Sequence, residues 1–372
     1  MSMSAGRIVY TSESVTEGHP DKVCDLIADT ILDAHLAQDG NAHVACEVLA
    51  KAGDLVLAGE ITSRASVDHE ALARRAIEQI GYTDPAEPFN ANGVTVTSRI
   101  SRQAGEIGTA VSRSAQGDGQ LGAGDQGMMF GYATDETPEL MPLPILLAHR
   151  LSSTLSQDRK HGTIPWLRPD GKTQVSVEYC DGRPERVTRV VVSTQHAREV
   201  TQDEVKAYVR EQLVPQVLGN WLGRDTTVTA NPSGSFAEGG PSADCGVTGR
   251  KIIADTYGGL ARHGGGAFSG KDPTKVDRSG AYFCRYVARN LVKQGVARRA
   301  EISVAYAIGE PEPVHVAVHM FGTGDEDEAV AFVTRFDFRP AAIIERLGLR
   351  RPIYAQTTNY GHFGRAGLPW EE

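Results

Sequence analysis

Residues 251–275 read K-I-I-A-D-T-Y-G-G-L-A-R-H-G-G-G-A-F-S-G-K-D-P-T-K. The stretch holds six glycines, and Arg250, Lys251, Arg262, His263, Lys271 and Lys275 sit in or beside it. Glycine lets backbone N–H groups approach a ligand without interference from Cβ. Successive N–H groups in such a turn form an anion-binding concavity. Cations around that concavity suit a polyphosphate. Gly265 to Lys271 fits G-x-x-x-x-G-K. A P-loop, however, needs Ser or Thr after the lysine to meet Mg2+, and runs on as a helix. Here Asp272 takes that place and Pro273 follows at once. The stretch reads as a phosphate cradle of another kind, and a simple P-loop kinase is disfavoured. The plainer alternative is a surface loop with scattered charges.

The rest of the composition narrows the choices. A chain of 372 residues is long enough for two or three domains. Hydrophobic residues make up 40% and charged residues 23%, the balance of a soluble globular protein. The net charge of −9 argues against nonspecific binding to nucleic acid or an acidic membrane. The basic cluster is a local exception to it and favours a small anionic ligand. Cys24, Cys46, Cys180, Cys245 and Cys284 are far apart, with no C-x-x-C among them. Neither a disulfide framework nor a zinc site is expected, and a reducing cytoplasm fits. The first residues show no apolar signal-peptide core. The longest apolar run, 140–148, is broken by Pro142 and Pro144 and is too short to span a bilayer.

Before the glycine-rich stretch, residues 12–36 place Val23, Leu26, Ile27, Thr30, Ile31 and Ala34 at helical spacing, which predicts an amphipathic helix entered at Pro20. His19 and Asp21 then stand at its N-terminus, where anions are favoured. The local alternative is a routine cap. Residues 43–49 and 55–62 alternate as strands, with Glu47 and Glu60 on the non-core side. A helix over 67–80 with Gly81 as its stop, and a strand over 93–100, complete an α+β pattern. Residues 103–124 lack apolar periodicity and read as a lid or a linker. An apolar strand follows Gly127, then a helix near 142–158, strands at 173–180 and 186–194, and a helix over 202–218. Phe236, in a glycine-rich loop, stacks on a base or plugs the core. A helix from Asp277 or Arg278 to Lys293, strands at 301–308 and 314–321, and helices near 327–336 and 340–347 close the chain. Paired strands and helices recur, without a residue-level repeat. The segment Tyr360-Gly-His-Phe-Gly-Arg365 stays uninterpreted.

The chain resembles the S-adenosylmethionine synthetases (methionine adenosyltransferases). The segments that carry the likeness are T-S-E-S-V-T-E-G-H-P-D-K at 11–22, G-A-G-D-Q-G-M-M-F-G-Y-A-T at 122–134 and P-W-L-R-P-D-G-K at 165–172. V-T-G-R-K-I-I-A-D-T-Y-G-G at 247–259, H-G-G-G-A-F-S-G-K-D-P-T-K-V-D-R-S at 263–279 and Y-G-H-F-G-R at 360–365 continue it in the family's order. The resemblance implies an α+β fold of three similar β/α subdomains about a pseudo-threefold, sheets inside and helices outside. It implies boundaries at 7–103, 122–237 and 238–370, with a mobile active-site loop over 104–121. The implied reaction is attack of the methionine sulfur on C5′ of ATP, followed by hydrolysis of the tripolyphosphate to pyrophosphate and phosphate.

By the same resemblance, His19, Lys172, Arg250, Lys271 and Lys275 serve catalysis. His19, Asp170, Lys172, Phe236, Asp244, Arg250, Lys251, Ala267 and Lys271 contact ATP. Glu60, Gln103, Asp244 and Lys275 hold methionine. Asp21 and Asp277 are carboxylates for Mg2+, two ions per site, and Glu47 is the K+ position. The family implies a cytoplasmic homodimer, paired into tetramers, with active sites between subunits. Departures from the family pattern occur at Gln103 to Val111, where a proline is missing and Ala110 replaces glycine, and at Ser235, where arginine is usual. The chain also stops soon after Trp370. The first two raise the alternatives of a methionine-analogue enzyme or a weakly active, nucleotide-binding regulatory subunit.

Overall fold

The computed structural model describes residues 6–102 and 121–372. Its first third runs β1 (Arg7–Val15), α1 (Pro20–Gln38), β2 (His43–Lys51), β3 (Asp54–Thr62), α2 (His69–Ile80) and β4 (Thr95–Ser101). The second runs β5 (Gly127–Thr134), α3 (Leu143–Lys160), β6 (Leu167–Cys180) and β7 (Arg183–His196). It continues with α4 (Gln202–Tyr208), α5 (Val214–Leu218) and β8 (Thr227–Ala230). The last third holds α6 (Gly240–Ala243), β9 (Gly246–Val247), α7 (Ile252–Asp255), α8 (Val276–Lys293), β10 (Arg299–Tyr306), β11 (His315–His319), α9 (Glu326–Val333) and α10 (Pro340–Arg346).

These elements build three sheets, ordered β9-β2-β3-β4, β1-β6-β7-β8 and β5-β10-β11. In each sheet the opening strand comes from a different third of the chain. β1 joins the sheet of the second third, β5 that of the last, and β9 that of the first. The exchange closes on itself, as expected of three like units about a pseudo-threefold. In the first two thirds a strand pairs in parallel after the second helix, β4 on β3 and β8 on β7.

Strand alternation buries one face of the sheets built on β2 and β6, whereas β5 and β10 are buried on both faces over most of their length. β2 turns Val44, Cys46, Val48 and Ala50 inward, and Glu47, Leu49 and Lys51 outward. The inner faces pack on the long helices α1, α3 and α8 in two apolar cores. Those three helices are therefore largely buried, and the outer layer is made by shorter ones such as α2 and α9. The expected apolar stripe of α1 is too narrow a description. Its polar side is buried too, and Asp25 and Asp29 are both 0% exposed.

Three strands escaped the sequence pattern. β1 directs Ser12 and Ser14 inward, where they hydrogen-bond Gly258 O and His149 Nδ1, so no apolar alternation betrays it. β8 and β9 are too short to show a period. The helix expected over 202–218 widens to a π turn at Val209–Leu213.

Candidate active site

The site begins at the N-terminus of α1. His19 is the N-cap residue, and its Nδ1 accepts the Asp21 N–H at 3.2 Å. The ring proton of the neutral form therefore lies on Nε2. Burial, then the nearby Lys251 charge, hold this imidazole down to about 3, so it is a neutral N–H donor at pH 7. Asp21 is 1% exposed. Its Oδ1 accepts the Val247 N–H at 3.0 Å and its Oδ2 lies 2.6 Å from Lys251 Nζ. Arg250 Nε is 3.5 Å from Oδ1. Burial alone would raise this carboxyl, but Lys251 and the Val247 N–H reverse that and hold it below its usual range. Two segments more than two hundred residues apart thus meet at one point.

Asp170 and Lys172 flank this point on β6. Thr16 Oγ1 donates to Pro169 O at 2.7 Å, which ties the segment before α1 to that strand. Asp170 accepts the Gly240 N–H at 2.8 Å, and burial pushes its carboxyl up to about 6. The Lys172 charge acts on both His19 and Asp170, and Asp244 acts on Asp170. Phe236 is half-buried rather than a core residue, and its N–H donates to His196 Nε2 at 3.0 Å. A cleft of about 220 Å3 opens beside it, lined by Pro169, Gln195, His196, Ala237 and Gly239.

A second group gathers on the open face of the β2–β3 sheet. Lys271 forms a bridge with Ala45, which is also in register with Glu60, so Lys271, Ala45 and Glu60 lie in one row. Glu60 is in turn in register with Ser101 at the end of β4. Lys271 Nζ is 2.6 Å from Asp277 Oδ2. Glu47, two residues along β2 from Ala45, is pushed up by burial, with Thr248 and Lys271 offsetting. The segment 247–251 joins the two groups. Asp21 holds Val247, Thr248 Oγ1 accepts the Val48 N–H at 2.5 Å, and a Cβ on Gly249 would fall 2.5 Å from the Ala267 Cβ.

Lys275 Nζ lies 2.5 Å from Asp272 Oδ2. Asp272 is fully buried and also accepts the Val44 N–H at 2.7 Å and the Thr274 N–H at 2.9 Å. Its charge is spent on the fold, which explains why it is not a P-loop metal position. Gln103 and the altered loop 103–111 lie outside the described residues. Sequence reasoning missed Asp25, Asp29 and Asp255, which support the site from beneath together with Lys22. A signal was available: Asp21, Asp25, Asp29 and Asp33 recur every four residues, which lines one face of a helix with carboxylates.

Among the described residues no group of three or more His, Cys, Asp and Glu side chains could cage a metal. Asp21 and Asp277 stand singly, each against a lysine. That donor set fits Mg2+, which takes one or two carboxylates and completes its shell with water and phosphate oxygens.

Glycine-rich loops, clustered cations and single carboxylates on a three-sheet α+β scaffold are the chemistry that suits a polyphosphate and its counter-ions. The relatives agree. Residues 7–105, 120–236 and 238–372 match, in turn, the N-terminal, central and C-terminal domains of S-adenosylmethionine synthetase. The chain belongs to the S-adenosylmethionine synthetase family. It is 52% identical over 372 residues to the S-adenosylmethionine synthase of Desulfosudis oleivorans, covering 98% of this chain and 95% of that one. It is 52% identical over 378 residues to that of Clostridium tetani, covering 98% and 97%. With that of Sorangium cellulosum the identity is 53% over 376 residues, covering 98% and 88%.

Proposed function

We propose that this chain transfers the adenosyl group of ATP to the sulfur of methionine and hydrolyses the released tripolyphosphate to pyrophosphate and phosphate. The observation that carries the reading is the meeting of His19 and Asp21 with Arg250 and Lys251, beside Lys172, in a chain with full-length kinship to S-adenosylmethionine synthases. Nothing in the comparisons favours a methionine analogue or a regulatory subunit.

The chemistry asks little of a base. A lone pair of the neutral thioether forms the S–C5′ bond, and the C5′–O bond breaks with its electron pair going to tripolyphosphate. The sulfonium carries the positive charge left behind. The difficulty is the leaving group's charge, and preorganised cations and N–H donors meet it. In this reading His19 donates its Nε2–H toward the leaving oxygen. Lys172, Arg250, Lys251 and Lys271 bind the phosphate chain, with Lys275 at the methionine end. Asp170, Phe236 and Ala267 contact the nucleotide; Glu60, Gln103 and Asp244 bind the methionine end. Asp21 and Asp277 would hold two Mg2+ ions, which when bound neutralise phosphate charge. Their lysine partners are then free for phosphate oxygens. Glu47, with the Thr248 hydroxyl beside it, offers oxygen donors suited to K+.

The site lies open on a single chain: the Arg250 side chain is 53% exposed. Leu49, on the same side of β2 as Glu47, is exposed as well. A second copy covering this face, as a homodimer able to pair into tetramers, would close it. No described helix is long and apolar enough to cross a membrane. All five cysteines are free, which supports a cytoplasmic place. The subdomain limits 7–103, 122–237 and 238–370 fit the threefold recurrence of elements. The test is product mass spectrometry on purified chain with ATP, methionine, Mg2+ and K+. Folded protein that forms no S-adenosylmethionine overturns the proposal.

A further inference from the structure

The two cation-bearing loops are seated on one helix. Asp25 Oδ1 accepts the Gly249 N–H at 2.8 Å, and Asp29 Oδ1 accepts the Gly270 N–H at 2.8 Å. Gly249 directly precedes Arg250 and Lys251, and Gly270 directly precedes Lys271. Asp25 and Asp29 are four residues apart on α1, so their carboxylates stack about 6 Å apart along its axis. Both glycines need their identity here. Gly249 has φ +71 and Gly270 φ +81, and a Cβ on Gly270 would fall 1.9 Å from Cys46 O. Neither loop can slide along α1 without losing its bond.

The acceptors are themselves fixed. Lys22 Nζ lies 3.1 Å from Asp25 Oδ2 and also pairs with Asp255. Arg278 grips Asp29 with two bonds, of 2.7 and 2.6 Å, and its Nη1 donates to Lys271 O at 3.2 Å. These groups are at most 2% exposed, so water does not compete for them. His362, in the glycine-punctuated segment near the C-terminus, takes the Asp255 carbonyl with its N–H at 2.9 Å. That segment thereby braces the same assembly. A charge-assisted bond in such surroundings is strong, and removing its acceptor leaves the buried Gly270 N–H, or the part-buried Gly249 N–H, unsatisfied.

We propose that Asp25 and Asp29 are positioning residues that set the spacing of the Arg250–Lys251 and Lys271 loops before any ligand binds. One helical turn is the ruler, and neither carboxylate touches substrate. The inference rests on the polyphosphate reading of the site.

The test has two arms. In ligand-free wild-type protein, the Gly249 and Gly270 amide hydrogens exchange slowly by NMR, and added Mg2+–tripolyphosphate leaves their protection unchanged. Fast exchange in the free protein, with protection appearing only on addition of tripolyphosphate, overturns the proposal. In the second arm, Asp25→Ala lowers kcat/KM for ATP about 10²-fold, the scale of a misplaced catalytic group. Asp25→Asn keeps an oxygen acceptor for Gly249 and stays within about tenfold of wild type, the difference between a charge-assisted and a neutral hydrogen bond. Equal losses in the Ala and Asn variants, or an Ala variant as active as wild type, overturn it. If Asp25→Ala does not fold, the exchange arm decides alone. Wild type that makes no S-adenosylmethionine removes the proposed function and leaves the exchange result to judge the positioning.

Discussion

Lys251 Nζ lies 2.6 Å from Asp21 Oδ2, so a cation proposed for phosphate and a carboxylate proposed for Mg2+ neutralise each other. In the proposed function, binding Mg2+–ATP would exchange this pair for two new ones, lysine with phosphate and carboxylate with metal. Asp21→Asn weakens the second exchange and leaves the first. The expected outcome is a kcat loss of about 10²-fold or more, with a raised Mg2+ requirement. Initial rates across a Mg2+ titration check it; an unchanged Mg2+ dependence would remove Asp21 from the metal site.

His19 is expected to stay neutral in the free protein through the whole range from pH 5 to 8. Its held-down value of about 3 means that protonation begins only well below that range. Its Nδ1 accepts the Asp21 N–H, so the proton sits on Nε2. Imidazole nitrogen shifts from NMR should show the Nε2–H tautomer with no titration step in that window. A midpoint near 6.5, the ordinary histidine value, contradicts the assignment.

Lys271→Ala should lower kcat more than it raises the KM for methionine. The lysine sits 2.6 Å from Asp277, on the phosphate side of the proposed chemistry, and its charge acts mainly on the leaving group. Lys271→Arg keeps the charge and should recover part of the rate. Steady-state kinetics with a large methionine KM effect and an intact kcat would refute the role.

Asp33, at the far end of the carboxylate row on α1, tests the fold instead of the chemistry. It accepts the Tyr354 and Ala355 N–H groups, yet burial pushes it up to about 6 from an ordinary 3.8. A carboxyl raised in the folded state destabilises that state once it must ionise. Stability is therefore lost as pH rises from about 4 through about 6, and stays lower above. Asp33→Asn cannot ionise. Its Tm relative to wild type should rise by a few degrees between pH 5 and pH 8. Thermal unfolding at the two pH values that shows a constant difference counts against it.

Much of this architecture was legible in the residues. Period-two alternation exposed β2, β3, β6 and β7, and Pro20 and Gly81 marked helix ends. The long motifs around His19, Lys172, Lys251 and Lys271 carried the family. What escaped had a physical cause. β1 and β9 pair with strands more than a hundred residues away, and β1 buries serines where a pattern search expects apolar residues. The face of α1 bearing Asp25 and Asp29 drew no attention in the sequence, because carboxylates are usually solvated. Only the tertiary fold brings the Gly249 and Gly270 N–H groups that make burial acceptable. Lys275 shows the converse: its motif was plain, but its pairing with Asp272 depends on the turn between them.

The most direct measurement incubates the purified chain with ATP, L-methionine, Mg2+ and K+, and quantifies every product. S-adenosylmethionine, pyrophosphate and phosphate should appear in equal amounts, with no ADP or AMP. Release of ADP or AMP without S-adenosylmethionine, from folded protein, would contradict the proposed function.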